Sequence, residues 1–268
     1  MAIVMSDQQV TMSRREIIRG LACGSVFAFT GGCTYNQELG RSQFMMVSRG
    51  QMAQLAGTAW TDLKRQERVS TNSRYTRRLD KVAERVVLAS GENPSQWEYE
   101  VFESESINAF ALPGNKIGFY TGIIDIMDND AQVATVAGHE VAHVKFNHSG
   151  ERYSQALAAQ AGLTAASVAV AASDSRNYGW AVSALGLGVQ FGVLLPFSRR
   201  HELEADRFGV RYMHRAGYEP REALRFWERM SQQGGNKPPE YMSTHPSDET
   251  RIAQLRREIA LLPPRPTA

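Results

Sequence analysis

His139-Glu140-Val141-Ala142-His143 lies in a stretch where Val133, Val136, Ala137, Val141 and Val144 keep a helical apolar pattern, and nothing else in the 268 residues restricts the fold as much. Four residues advance an α-helix by about one turn, so the two imidazoles leave the same face and can share one metal ion. Glu140 lies about 100° round that helix, close enough to touch a metal-bound water without taking a coordination place. Zinc lowers the pKa of such a water toward about 7, and a carboxylate then removes its proton as it attacks a carbonyl. Because the rest of the helix is apolar, the site is expected to be partly dry. The five-residue pattern arises by chance in on the order of one chain in a hundred of this length, so a third ligand has to decide between a metal site and two ordinary helix histidines.

Three residues compete for that place. His148 would suit a pattern whose third histidine falls one residue later, at Ser149, with glycine where Phe146 stands. On a continuous helix His148 also faces away from His139 and reads as a surface residue. His214 has no carboxylate at helical spacing to support it. Glu202, in His201-Glu202-Leu203-Glu204-Ala205-Asp206, shares a helix face with Asp206, while Glu204 points about 200° away. A carboxylate ligand with a second carboxylate one turn on suits a metal site, because Asp206 can accept the free N–H of a ligating histidine. The competing reading is a solvated charged face in which Arg199, Arg200 and Arg207 pair with these acids.

One further histidine sits in Ser243-Thr244-His245-Pro246-Ser247, where Pro246 presets a turn and Ser247 can cap the helix that follows. His245 is therefore held on a rigid loop and can donate to the oxyanion of a tetrahedral intermediate. The plainer alternative is a loop histidine that caps a helix.

Both cysteines, Cys23 and Cys33, fall within the first 33 residues. The body can form no disulfide, no cysteine-ligated metal site and no cysteine nucleophile. Without residues 1–32 the chain carries 27 basic and 26 acidic residues, which gives no electrostatic ground for a nucleic-acid partner. Arg14-Arg15 followed by Ile17-Ile18 and a short apolar Gly/Ala-rich run resembles a twin-arginine export signal, too short to span a bilayer. Cys33 after Gly31-Gly32 resembles a lipoprotein acceptor cysteine, which would hold the protein at a membrane surface by its N-terminal lipid.

Residues 34–48 are polar without a clear period and read as a tether. Helices are predicted over about 50–68 and 73–90, the second with Leu79, Val82, Ala83, Val86 and Val87 on one face. Strands are predicted at 97–102, 107–112 and 117–120, forming a small antiparallel sheet, with Pro113-Gly114-Asn115 as a turn. Asp128 or Asn129 is placed to cap the next helix, which is predicted to run to about His148. Residues 154–196 are Ala/Gly-rich and are expected to pack as helices in the core or over the site, with a membrane hairpin as the rival. Helices over about 198–216, 220–232 and 247–261 complete the body, and residues 263–268 form a structureless tail.

Four motifs occur in order: Asn108-Ala109-Phe110-Ala111-Leu112-Pro113-Gly114, Gly138–His143, Glu202–Asp206 and Ser243–Pro246. Together, over roughly residues 70 to 260, they resemble the gluzincin peptidases that include the CAAX prenyl endopeptidases, the heat-shock protease HtpX and Oma-type mitochondrial proteases. The resemblance implies a mainly helical α+β, zincin-like fold over residues 49–262 and one Zn2+ per subunit. It makes His139, His143 and Glu202 the ligands, Glu140 the base and Asp206 the support. It further implies that the Asn108-Ala109-Phe110 strand is a sheet edge beside the cleft, where an unfolded or misfolded polypeptide can add as an antiparallel strand. Lacking clear spanning helices, the chain looks most like the lipid-anchored envelope members. A non-hydrolytic assembly factor or holdase with structural zinc, His245 closing the site as a fourth ligand, is the reading from a different class.

Overall fold

In the computed structural model the described residues are 32–172, 198–233, 239–246 and 249–264. The predicted export segment, which ends at Cys33, lies outside them as far as residue 31, as does the 173–196 part of the 154–196 region.

The fold is organised round one helix. Asn129 caps it by accepting from the Gln132 amide at 3.1 Å, and it runs Asp130–Lys145 with every residue from Ala131 to His143 buried. Against it, with the chain numbered in order, pack α2 (Ser73–Ala89), α6 (Arg199–Arg215), α7 (Arg221–Gln232) and a three-stranded sheet; the buried helix is α4. On α2 the predicted face of Leu79, Val82, Ala83, Val86 and Val87 is buried, each large side chain contributing about 1.5–3 kcal/mol. Helices α4 and α6 touch backbone to backbone. A Cβ at Gly138 would lie 2.7 Å from the Gly209 carbonyl oxygen, and one at Gly209 would lie 2.8 Å from the His139 amide nitrogen. Only glycine at both positions permits this approach, and it sets His139 against Asp206.

The sheet is β3 (Glu98–Phe102), β4 (Ala109–Leu112) and β5 (Lys116–Tyr120), in the order β3-β5-β4. The predicted turn forms, with Gly114 and Asn115 at φ 84° and 62°, and pairs β4 with β5 antiparallel. The sheet as a whole is mixed, because β3 pairs with β5 in parallel. The 103–108 connection carries the chain past the β5 position, leaving β4 at an edge. Periodicity reports strands but not their order.

Two other segments depart from the expectation. Residues 34–48 are no tether. β1 (Cys33–Asn36) and β2 (Arg41–Phe44) form an antiparallel hairpin that turns through Gly40 and leads into α1 (Arg49–Gln66). Its inward residue is polar, since buried Gln43 donates to the Phe146 carbonyl at 2.7 Å and to Glu151 at 2.9 Å. A strand that buries glutamine lacks the apolar alternation that would reveal it. The helix predicted to reach His148 instead stops at Lys145, because Asn147 adopts φ 52° and redirects the chain. A new helix, α5 (His148–Ala172), starts there, so His148 is fully buried rather than on the surface. Beyond Ser154, residues 155, 157 and 159–162 of α5 are exposed, so this part is not core. Helices α3 (Thr121–Asp125), α8 (Glu240–Thr244) and α9 (Glu249–Ala260) complete the helices of the described fold, which is mainly helical and zincin-like.

Candidate metal centre

The central helix presents both imidazoles to one point, as its spacing requires. His139 Nε2 and His143 Nε2 are 3.0 Å apart. Ser198 caps α6 by accepting from the His201 amide, and the first turn of α6 brings Glu202 to the same point. Its carboxylate oxygens lie 3.3 Å from His139 Nε2 and 3.4 Å from His143 Nε2. His245 follows α8 and adds Nδ1, 3.1 Å from His139 Nε2 and 3.0 Å from Glu202. All four donor atoms lie within 4.8 Å of one another, and all four residues are buried. A tetrahedral ion with bonds of about 2.0–2.1 Å sets its donors about 3.3–3.4 Å apart, which these separations approach. The charge also fits. Burial alone would lower the His139 pKa, but Glu202 and Asp206 outweigh it and lift it to about 9. Surroundings that hold a positive charge there suit a metal cation, and the donor set of imidazole and carboxylate suits zinc.

Behind the donors lie two supports. His139 Nδ1 donates to Asp206 at 3.0 Å, as the spacing of Glu202 and Asp206 suggested. Arg251 of α9, only 2% exposed, grips both Asp206 oxygens at 2.7 Å and lies 2.7 Å from Glu202. Burial opposes the charge of both carboxylates, yet the neighbouring cations hold Glu202 well below, and Asp206 below, the usual carboxylate range. Arg251 Nη1 also donates to the His245 and Pro246 carbonyls at 3.2 and 2.8 Å, fixing the loop that carries His245. On the other side, His143 Nδ1 is 3.1 Å from His148 Nδ1, and His148 Nε2 is 3.1 Å from Glu204. Burial pushes the His148 pKa down to about 4 despite that carboxylate, so the ring is neutral.

Glu140 adjoins the donors without joining them. Its Oε1 accepts from the Tyr241 hydroxyl at 3.1 Å and lies 3.5 Å from His245 Nε2. Burial raises its carboxyl above the ordinary range, the direction a general base near neutrality needs. Tyr241 also donates its backbone amide to the Ile107 carbonyl at 3.1 Å, tying α8 to the chain just before β4. Asn108, Ala109 and Phe110 therefore stand at the edge of the sheet, beside the element that carries Tyr241. Ala109 is fully buried, and the Phe110 ring covers Gly118.

Of the residues predicted for the site, His139, Glu140, His143, Glu202, Asp206 and His245 meet here. Cys33 begins β1, exposed and far along the chain. The structure seats His245 among the donors rather than in the open position of an oxyanion donor. His214, the discarded ligand candidate, is buried away from the cluster, and among the described residues neither ring nitrogen has a hydrogen-bond partner. Sequence reasoning missed Tyr241, Arg41 and Arg251, and it placed His148 on the surface, whereas that residue is buried behind His143. Arg251 left a trace, since it occupies the apolar stripe of α9 one turn before Leu255.

A buried helix bearing the HExxH histidines, a glutamate from a second helix and a further carboxylate beside them make up a metal centre of the kind found in gluzincin peptidases. The chain belongs to peptidase family M48, whose family model matches residues 73–259. It is 33% identical over 195 residues to the mitochondrial metalloendopeptidase OMA1 of Schizosaccharomyces pombe, covering 68% of this chain and 55% of that protein. It is 32% identical over 253 residues to the OMA1 of Arabidopsis thaliana, covering 92% and 50%. With the beta-barrel assembly-enhancing protease of Escherichia coli K12 it shares 25% identity over 255 residues, covering 92% and 52%. The chain spans about half the length of these relatives.

Proposed function

We propose that the protein is a zinc-dependent endopeptidase that cleaves unfolded or misfolded polypeptides at the bacterial cell envelope. The observation that carries this reading is the convergence of His139, His143, Glu202 and His245 donors beside Glu140. When bound, zinc supplies Lewis acidity toward the scissile carbonyl and a nucleophile at neutral pH. Glu140, aimed by the Tyr241 hydroxyl, takes a proton from the attacking water and delivers it to the leaving amine. A catalytic ion would need an open coordination position, so His139, His143 and Glu202 would hold it, and the His245 ring, if outside that set, would be placed to serve the oxyanion. The edge position of β4 supports strand addition by an extended substrate at Asn108, Ala109 and Phe110, through backbone bonds that read little sequence.

Envelope residence is inferred from Arg14-Arg15, and lipid anchoring from Cys33, which is exposed as an acyl acceptor must be. A lipid on Cys33 would provide attachment to a membrane surface; among the described residues no helix is long and apolar enough to cross a membrane.

The test compares the purified protein with its Glu140→Gln variant for zinc content and for cleavage of an unfolded protein such as reduced, alkylated casein. Equal zinc with cleavage by the wild type alone is the expected result. Zinc in both with cleavage by neither favours the second reading, an assembly factor or a latched enzyme, which the position of His245 among the donors supports. Zinc in neither overturns the proposal.

A further inference from the structure

The support behind His143 does not end at His148. Glu204 accepts from His148 and is itself held by Arg41 of β2, Nε to Oε1 at 2.6 Å and Nη2 to Oε2 at 2.8 Å. The same guanidinium holds Glu151 of α5 at 2.7 and 2.9 Å. Glu151 in turn accepts from Gln43 of β2 at 2.9 Å and lies 3.2 Å from His201 Nε2, and the His201 ring stacks on His148 at 4.6 Å. These groups form one connected network between the N-terminal hairpin and a metal donor, and the reaction as derived above uses none of it.

Proton bookkeeping gives the network a direction. A carboxylate only accepts, so the His148 nitrogen facing Glu204 carries the hydrogen. The two Nδ1 atoms at 3.1 Å need one N–H and one lone pair between them; with the His148 hydrogen on Nε2 toward Glu204, His148 Nδ1 supplies the lone pair and accepts from His143 Nδ1–H. His143 is thereby fixed in the tautomer whose Nε2 lone pair faces the other donors. Were the Glu204 carboxylate displaced, His148 could take the opposite tautomer and present N–H to N–H.

We propose that Arg41 and the β1–β2 hairpin are working parts of the metal centre, with Arg41, Glu204 and His148 as positioning residues that set the tautomer and aim of His143. The proposal rests on the metal-site reading above. It makes the segment directly after Cys33 a determinant of metal affinity, so anything that withdraws Arg41 from Glu204 loosens the metal.

The test measures zinc affinity of the full chain by competition with a chromophoric chelator, together with melting of the zinc-free and zinc-loaded protein. His148→Phe is expected to weaken zinc 10–100-fold, the usual cost of losing a group that orients a ligand. Arg41→Met is expected to weaken it about 3–10-fold, as a more distant member of the same network. The double variant should match His148→Phe alone, because Arg41 acts through His148. Arg41→Lys, keeping the charge but losing the fork, should restore part of the affinity. If His148→Phe fails to fold, His148→Gln gives the same comparison. Unchanged zinc affinity in Arg41→Met with equal loss of melting temperature in both forms makes the hairpin merely structural and overturns the proposal. Additive losses in the double variant also overturn it. A wild type that binds no zinc would sink the metal-site reading itself, a distinct failure.

Discussion

The two histidines of the candidate metal centre are backed by networks of the same plan and different construction. Behind His139 stands a carboxylate, Asp206, and behind that a buried arginine, Arg251, which also reaches Glu202. Behind His143 a second histidine is interposed, so the carboxylate, Glu204, is one step further away and the arginine, Arg41, further still. The first network is drawn from helices of the core. The second closes through a hairpin more than a hundred residues from the ligand, with the Arg41 side chain 14% exposed against 2% for Arg251. One support is inseparable from the fold, whereas the other can be disconnected at its outer end. The difference predicts that damage on the His139 side costs stability and metal together, while damage on the His143 side separates them.

Arg251→Met should have the largest effect. Removing a buried cation that serves Asp206, Glu202 and the His245 loop leaves two buried carboxylates uncompensated, at a cost of about 3–5 kcal/mol. Chemical denaturation of zinc-free protein measures this directly, and zinc content after dialysis should fall with it. A variant as stable as the wild type would show that the two supports are equally dispensable, and would break the comparison.

Gly209→Ala comes next. The added methyl meets the backbone of α4 at 2.8 Å and forces α4 from α6, costing about 1–3 kcal/mol and stretching the contact of His139 with Asp206. Zinc affinity should fall through the His139 side, and a second substitution, Asp206→Asn, should add little to that fall. Full additivity would place the effect of Gly209 elsewhere than on His139.

The contrast between the two supports also explains what the sequence could disclose. Glu202 and Asp206 are one helical turn apart, so their common purpose is legible as spacing, as is that of His139 and His143. Glu204 was correctly placed on the far side of the same helix, but its partner was invisible. His148 reaches it only because Asn147 breaks the helix in a left-handed conformation, and continuous helical geometry sent His148 to the surface. Arg41 and Gln43 sit in a strand whose inward residue is polar, so a period-2 apolar pattern never arises. The central helix, α2 and the strands were legible because their buried faces are apolar, while strand order was not, since it depends on which way a connection crosses. Networks of polar groups joined across long separations leave no periodic signal, and here they account for most of what the sequence withheld.

Glu151→Gln should give the smallest effect and the sharpest separation of docking from metal binding. Glu151 accepts from Arg41, Gln43 and His201, and touches no ligand. Burial would raise its pKa, but His201, Arg41 and Gln43 outweigh that and hold it well below the ordinary carboxylate range. A depressed folded-state pKa means the contribution is complete above the unfolded value of about 4.3 and disappears as pH falls through the lower folded value. Glutamine does not titrate, so the variant should be about 1–3 kcal/mol less stable near pH 7, and the two stability curves should converge as pH drops below about 4. Zinc affinity at pH 7 should change less than about twofold, because Glu204 still holds both His148 and Arg41. An offset independent of pH would mean that Glu151 contributes by packing alone. A large loss of zinc would mean that the hairpin bears on His143 through Glu151 as well as Glu204, and that the second support, like the first, cannot be disconnected piece by piece.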